Sequence, residues 1–383
     1  MSPFEKQELL DNFGPLGQAA LARSHVLLVG VGGLGCACAQ QLVAMGVGRL
    51  TLVDGDQVSR SNLSRQVLYR ADDVGKNKAE VASVFLSQLA PGCRIEAVPE
   101  FLSPQLCERL FLAVDLVVDA SDNFETKFLV NAAAARFQKP VIWANAQKWE
   151  GQVASFDARR GPCYQCLLPN RPSNGAAGSC NEIGVLGAVP NALGVYQAVE
   201  SVKALCEIFE VPKVPRPRWG ELLSLSFRDL SSFKTQVKKN ASCPVCSLPA
   251  HEIKLVPVSA AGCETSSAEA SLPCRSIREL REGSETCFLI DVREDEERDV
   301  CAVPGAYGLA LSRLRTSPDE ELLAMRVKLK LDGVEHEPEP LLAFFCKSGK
   351  RSREALGILQ RASKDGLPRA CVLKEGAQEL SET

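Results

Sequence analysis

The sequence predicts an α/β fold, a doubly wound parallel sheet followed by a linker and a second, smaller α/β unit. Three observations predict it. Residues 26–30 (VLLVG) form a short apolar run that stops at glycine, as a buried parallel strand does. Strand-like and helix-like segments then alternate through residue 144. Beyond a stretch of small polar residues, a new strand–loop–helix pattern begins at residue 287.

Residues 34–45 read as a helix and 49–53 (RLTLV) as a strand ending at Asp54, which completes a βαβ unit. Further strands are expected at 94–98, 115–119 (DLVVD) and 140–144. Helices at 76–90, 104–113 and 124–137 separate them. Residues 24–48 carry no Lys, Arg, Asp or Glu, but six glycines, Gln40 and Gln41 make them strand, glycine loop and helix rather than a membrane span. From 247 to 272 small polar residues mark a linker, with a terminal strand at 253–258 as the alternative. The expected division is 1–247, a linker 248–271, and 272–383. In the last part 287–292 (CFLIDV) and 341–345 (LLAFF) are strands, and 352–361 is a helix after a tight loop. No internal repeat is visible.

A length of 383 residues fits two or three domains. Hydrophobic residues at 45% and charged residues at 24% exclude a disordered chain. A net charge of −3 provides no overall field for nucleic acid or an acidic membrane. Three histidines and no HExxH argue against chemistry built on a histidine cluster. The 16 cysteines stand out. The N-terminus lacks a signal-peptide pattern, and a chain this long does not need disulfides. The expectation is a reduced cytoplasm, with some cysteines as metal ligands or nucleophiles.

Gly30, Gly32, Gly33 and Gly35 give G-x-G-G-x-G between a strand and a helix. Such a loop brings backbone close to a phosphate, with helix N-terminal amides facing the anion. Asp54, at the next strand's end, suits ribose hydroxyls. The loop alone separates neither NAD from ATP nor a nucleotide site from a ligand-free tight turn. Downstream, Asp56 precedes Ser61-Asn62-Leu63-Ser64-Arg65-Gln66 and Gly75-Lys76-Asn77-Lys78. Two fixed cations and an amide suit a triphosphate whose pyrophosphate must leave, whereas hydride transfer needs no such cluster. Asp119-Ala120-Ser121-Asp122-Asn123 follows a buried strand. An acid there can hold Mg²⁺ or orient a phosphate, or Asp122 or Asn123 can simply cap a helix.

These residues resemble the MoeB/ThiF adenylyltransferases, relatives of the ubiquitin-activating enzymes, over residues 4–247. The resemblance implies a Rossmann-like doubly wound sheet, ATP with Mg²⁺, and transfer of AMP to the C-terminal glycine of a small ubiquitin-like protein. It places Gly33 at the nucleotide, Asp54 at the ribose, Asn62, Arg65 and Lys78 at the phosphates, and Asp122 as the essential aspartate. The family's usual R-Y-x-R-Q opening reads Pro3-Phe4-Glu5-Lys6-Gln7 here. Lys6 keeps the charge of the arginine that reaches the opposite subunit's ATP but loses its bidentate fork. A homodimer is implied.

Cys163-Tyr164-Gln165-Cys166 and Cys243-Pro244-Val245-Cys246 are two C-x-x-C pairs, 76 residues apart. Two such pairs suggest structural Zn²⁺, and four thiolates leave no open position for Lewis-acid catalysis. Small buried residues or a redox C-x-x-C are the alternatives. The same family carries this pair of pairs. Cys180 lies in a polar stretch, 170–182, where a bulky acyl group can reach it. The resemblance places it where a covalent link to the sulfur carrier forms; a free loop thiol is the alternative.

Cys346-Lys347-Ser348-Gly349-Lys350-Arg351-Ser352 joins an apolar strand to a helix. Backbone amides, the helix N-terminus and the cations Lys347, Lys350 and Arg351 would favour a thiolate or persulfide anion. A strand-ending core cysteine is the alternative. The segment 272–383 resembles a rhodanese domain: Asp291-Val292-Arg293 matches its D-V-R strand, Pro304-Gly305-Ala306 its P-G-A turn, and the cysteine loop its active loop. The histidine usual before P-G-A is replaced by Ala302-Val303, the closing G-G by Glu375-Gly376, and 316–340 is a longer connection than usual. A phosphatase loop is the competing shape, but six residues from Cys346 to Arg351 make the short loop of sulfur transfer.

Resemblance to MoeB–rhodanese fusions (MoeZ-like proteins) implies an order. A carrier ending in Gly-Gly (MoaD/ThiS-like) is adenylylated, a Cys346 persulfide attacks, and Cys180 resolves the acyl disulfide to leave a thiocarboxylate. A cysteine desulfurase or thiosulfate would load the sulfur. No nucleic acid and no membrane are expected as partners. An NAD-dependent oxidoreductase and a non-catalytic carrier-binding scaffold are the alternatives. The sequence does not identify the carrier, whether for molybdopterin, thiamine, cysteine or a secondary metabolite.

Overall fold

The computed structural model of the chain describes residues 2–170, 184–256, 274–282, 287–329, 340–346, 349–362, 369–373 and Leu380. It divides into two compact units, Met1–Ser259 and Ala260–Thr383. Among the described residues no helix is long and apolar enough to cross a membrane.

The first unit is built on an eight-stranded sheet in the order β3-β2-β1-β4-β5-β6-β7-β8. Strands β1 (His25–Val29), β2 (Arg49–Val53), β3 (Arg94–Val98), β4 (Leu116–Asp119) and β5 (Val141–Gln147) run parallel. Strands β6 (Glu150–Phe156), β7 (Glu221–Ser226) and β8 (Ser232–Gln236) continue it antiparallel. The sheet is therefore mixed rather than wholly parallel. The reason is local: Gln147 pairs with Glu150 across a two-residue hairpin at Lys148, whose φ is +52°, so no crossover helix intervenes.

Every residue of β1 is buried, and its side chains alternate between two apolar layers. Val26 and Leu28 pack with Leu21 of α2 (Gly14–Arg23), Leu42 of α3 (Gly33–Ala44), Leu86 of α4 (Lys78–Leu89) and Leu205 of α8 (Ala188–Ile208). Leu27 and Val29 pack with Leu106 of α5 (Pro104–Leu110), Leu129 of α6 (Phe124–Arg136) and Tyr164 of α7 (Tyr164–Leu167). Each fully buried leucine contributes about 1.5–3 kcal/mol. A single turn, α1 (Glu5–Glu8), precedes α2, with Lys6 exposed on it. From β1 the chain runs to β2 and β3 on one side and then crosses to β4 on the other, so strand order reverses at β1. A crevice opens beyond the carboxyl ends of β1 and β4.

Residues 253–256 form no strand. Ile253 is buried against the first unit, and its carbonyl accepts from Arg136 Nη1 at 2.9 Å. These residues fall in the first compact unit, Met1–Ser259.

The second unit is a five-stranded parallel sheet in the order β11-β10-β12-β13-β9. Its strands are β9 (Cys274–Arg275), β10 (Cys287–Asp291), β11 (Tyr307–Gly308), β12 (Leu341–Phe345) and β13 (Ala370–Leu373). The helices are α9 (Ile277–Glu282), α10 (Asp295–Val300), α11 (Leu311–Thr316), α12 (Pro318–Lys328) and α13 (Lys350–Ala362). Along β12, Leu342 and Phe344 face one apolar cluster, while Leu341, Ala343 and Phe345 face another. That alternation explains why LLAFF is apolar throughout.

Candidate functional site

At the carboxyl edge of β1, β2 and β4 lies a cavity of about 920 Å³, counting its open mouth. Gly30, Gly32, Gly33, Asp54, Asp56, Arg65, Gln66, Lys78, Asp122 and Asn123 line it. Gly30 has φ +88°, and a Cβ there would lie 2.8 Å from the Ala120 carbonyl oxygen. Gly35 is not in the lining. It lets α3 close onto β1, since a Cβ would sit 2.0 Å from the Gly30 oxygen.

Asn62 does not line the cavity either. Its Oδ1 accepts from the Ser59 N–H at 3.0 Å, and its carbonyl accepts from the N–H groups of Arg65 and Gln66. It shapes the turn that presents those two residues. Gln66 is buried, and its Oε1 has no hydrogen-bond partner among the described residues. Arg65 Nη1 donates to the Ser61 carbonyl at 2.8 Å.

Asp54 accepts from the N–H of Val31 at 2.7 Å and of Asp56 at 2.9 Å, which ties the glycine loop to β2. Burial pushes its carboxyl above the usual range, against the pull of Lys78. Lys78 is buried in the first turn of α4, with Nζ 2.8 Å from Asp56 Oδ2. Asp56 thus pairs with the ammonium while also lining the cavity.

Of the two possible caps of α6, Asn123 does the capping: its Oδ1 accepts from the Thr126 N–H at 2.8 Å. Asp122 is exposed to the cavity and has no hydrogen-bond or ion-pair partner among the described residues. Phe101, Asn145 and Pro190 also line the cavity and escape sequence reading. No local motif marks them, because β3, β5 and α8 meet there only in three dimensions.

The two C-x-x-C pairs converge. Cys163, Cys166, Cys243 and Cys246 place their sulfurs within 4.8 Å of one another. Cys163 Sγ lies 3.7 Å from Cys243 Sγ, and Cys166 Sγ 3.4 Å from Cys246 Sγ. Burial and neighbouring thiolates push the Cys163 thiol up to about 12, and Cys246 is raised for the same reasons. A cation would relieve that repulsion. Asn240 N–H and Asn131 Nδ2 donate to Cys166 and Cys163 at 3.4 and 3.6 Å, as donors around thiolate ligands do. The donor set fits a closed tetrahedral metal.

In the second unit Cys346 follows β12 and is buried. Its Sγ accepts from the Gly349 N–H at 3.1 Å and lies 3.7 Å from Ser352 Oγ. Gly349 has φ +79°, which turns its amide toward the sulfur. Arg351 does not act as an unencumbered cation beside the sulfur. It forks onto Glu297, with Nη2 to Oε1 at 2.8 Å, and holds that carboxyl below its usual range. Arg293 forks onto Asp291 and donates to the Cys301 carbonyl, bracing the loop after β10. Cys180, Lys347 and the Lys350 side chain lie outside the described residues.

A model of the ThiF family matches residues 4–245, and one of the rhodanese-like domain matches 276–383. The chain is 43% identical over 248 residues to a sulfur carrier protein adenylyltransferase of Thermus thermophilus, covering 63% of this chain and 89% of that protein. It is 32% identical over 376 residues to the adenylyltransferase and sulfurtransferase MOCS3 of Xenopus laevis, covering 93% and 80%. Among solved structures, E. coli MccB with ATP shares the fold at TM-score 0.52 and 22% identity, over 61% of this chain and 70% of that one. By these matches the chain belongs to the ThiF family and ends in a rhodanese-like domain.

Proposed function

We propose that the chain uses ATP to adenylylate the C-terminal glycine of a ubiquitin-like sulfur carrier, then replaces AMP with sulfur from a Cys346 persulfide. The observation that carries the first half is one cavity lined by the glycine loop, Asp54, Arg65, Lys78 and Asp122. A carrier carboxylate oxygen attacks the α-phosphorus, and pyrophosphate leaves. The nucleophile is already ionised, so no general base is needed. Arg65 and Lys78 offset the charge of the departing pyrophosphate, and Asp54 accepts from the ribose. Asp122 is the acid placed for Mg²⁺, which when bound would screen the phosphates.

In the second half, the terminal sulfur of the Cys346 persulfide attacks the acyl carbon and AMP leaves, giving an acyl disulfide. The Cys180 thiolate then takes the Cys346 sulfur. The carrier departs as a thiocarboxylate, and a dithiol reductant reopens the remaining disulfide. A cysteine desulfurase or thiosulfate reloads Cys346. A relative named for both adenylyltransferase and sulfurtransferase activities supports the pairing. The four clustered cysteines would hold a structural Zn²⁺. A homodimer would bring Lys6 to the partner's nucleotide, and light scattering showing an active monomer at micromolar concentration would contradict it.

Carrier-dependent ATP–pyrophosphate exchange tests the reading. An NAD oxidoreductase shows no exchange, and a scaffold binds carrier without forming AMP.

A further inference from the structure

Beneath the cavity lies a buried ion pair that none of the assigned roles uses. Asp119 ends β4, and Lys127 sits in the first turn of α6. Their side chains are 2% and 4% exposed, with Lys127 Nζ 3.8 Å from Asp119 Oδ1. Lys127 Nζ also donates to the Ala144 carbonyl of β5 at 3.2 Å and lies 5.4 Å from the Trp143 ring centroid. Asp119 Oδ1 in turn accepts from the Ser121 N–H at 3.1 Å and the Ser121 hydroxyl at 2.6 Å. From the opposite layer, Gln197 Nε2 donates to the Asp119 carbonyl at 2.8 Å.

Neither Asp119 nor Lys127 lines the cavity, whereas Ser121 and Asp122 do. The run of contacts passes from Ala144 through Lys127 and Asp119 to Ser121, and stops one residue short of Asp122. Stability is a weak reason to keep such a pair, since desolvation offsets its attraction and an apolar pair often serves as well. Position is a stronger one, because misplacing a reacting group by about 1 Å can cost about 10²-fold in rate.

We infer that Lys127 is a positioning residue for adenylyl transfer. Through Asp119 and Ala144 it fixes the 119–122 turn, and with it the Asp122 carboxylate. The role rests on the function proposed above and lies one step outside the cavity. Because the glycine loop, Asp54, Arg65 and Lys78 line the cavity from other elements, loss of Lys127 is expected to act on the chemical step more than on nucleotide affinity.

The test uses the full chain, ATP and a Gly-Gly-terminated ubiquitin-like carrier in pyrophosphate exchange. Lys127→Met strands a buried carboxylate and is expected to lower the melting temperature. The double variant Asp119→Asn/Lys127→Met removes both charges and keeps an acceptor for Ser121, so its melting temperature is expected to return close to wild type. Its kcat is expected to stay about tenfold or more below wild type, with KM for ATP within about twofold. Recovery of kcat together with stability would overturn the inference. So would a raised KM at unchanged kcat, which would put Lys127 in nucleotide binding. A wild-type chain that shows no exchange would overturn the reading of the site itself, and the inference with it.

Discussion

Asp122 stands at the cavity with its neighbour doing the capping, so among the described residues its carboxylate has no partner, and on the proposed function it serves the reaction. Asp122→Ala is expected to lower carrier adenylylation by about 10²-fold or more, on the scale of losing one preorganised electrostatic group. Pyrophosphate exchange reads this, and near-normal exchange would remove Asp122 from the mechanism. The motif residues that line the cavity were legible because a glycine loop, a strand-ending acid and a strand-to-helix acid each have a fixed place at a sheet edge. What the sequence hides is which group spends its polarity locally. Asn62 and Gly35 carry the motif's letters but shape the turn and the helix–strand contact. Arg351 looks like a cation for the sulfur until Glu297, 54 residues away in the chain, claims it.

At the scale of elements, α3 and α8 cross closely. A Cβ on Gly194 of α8 would lie 2.3 Å from the Leu34 carbonyl oxygen of α3, the helix that begins at the glycine loop. Gly194→Ala gains about 1 kcal/mol of helix propensity, but overpacking costs about 1–3 kcal/mol or more. A backbone atom cannot move aside, which puts the cost in the upper part of that range, about 2–3 kcal/mol, so the net expectation is a loss of about 1–2 kcal/mol. Urea denaturation showing unchanged or higher stability would contradict this crossing. The thiol cluster joins α7 to the segment at Cys243, and Asn131 ties it to α6. One Zn²⁺ per chain is expected, and Cys243→Ser should lose both metal and stability, because structural zinc binding contributes folding free energy. Metal analysis of fresh protein showing no zinc would refute this. The parallel strands were legible from apolar runs, but β6 to β8 were not. A hairpin extends the sheet without the helix that announces a crossover, and β8 (SFKTQ) is exposed at every position.

On the scale of the whole chain, two units with separate cores carry two chemistries. In the proposed order activation precedes sulfur attack, so loss of the sulfur site is not expected to prevent activation. The most direct measurement is intact mass of a Gly-Gly carrier incubated with ATP, Mg²⁺ and thiosulfate, with free sulfide excluded because it attacks the acyl adenylate unaided. Wild type is expected to exchange one carrier oxygen for sulfur, while Cys346→Ala forms the adenylate at a normal rate and no thiocarboxylate. Normal thiocarboxylate from Cys346→Ala would contradict the account.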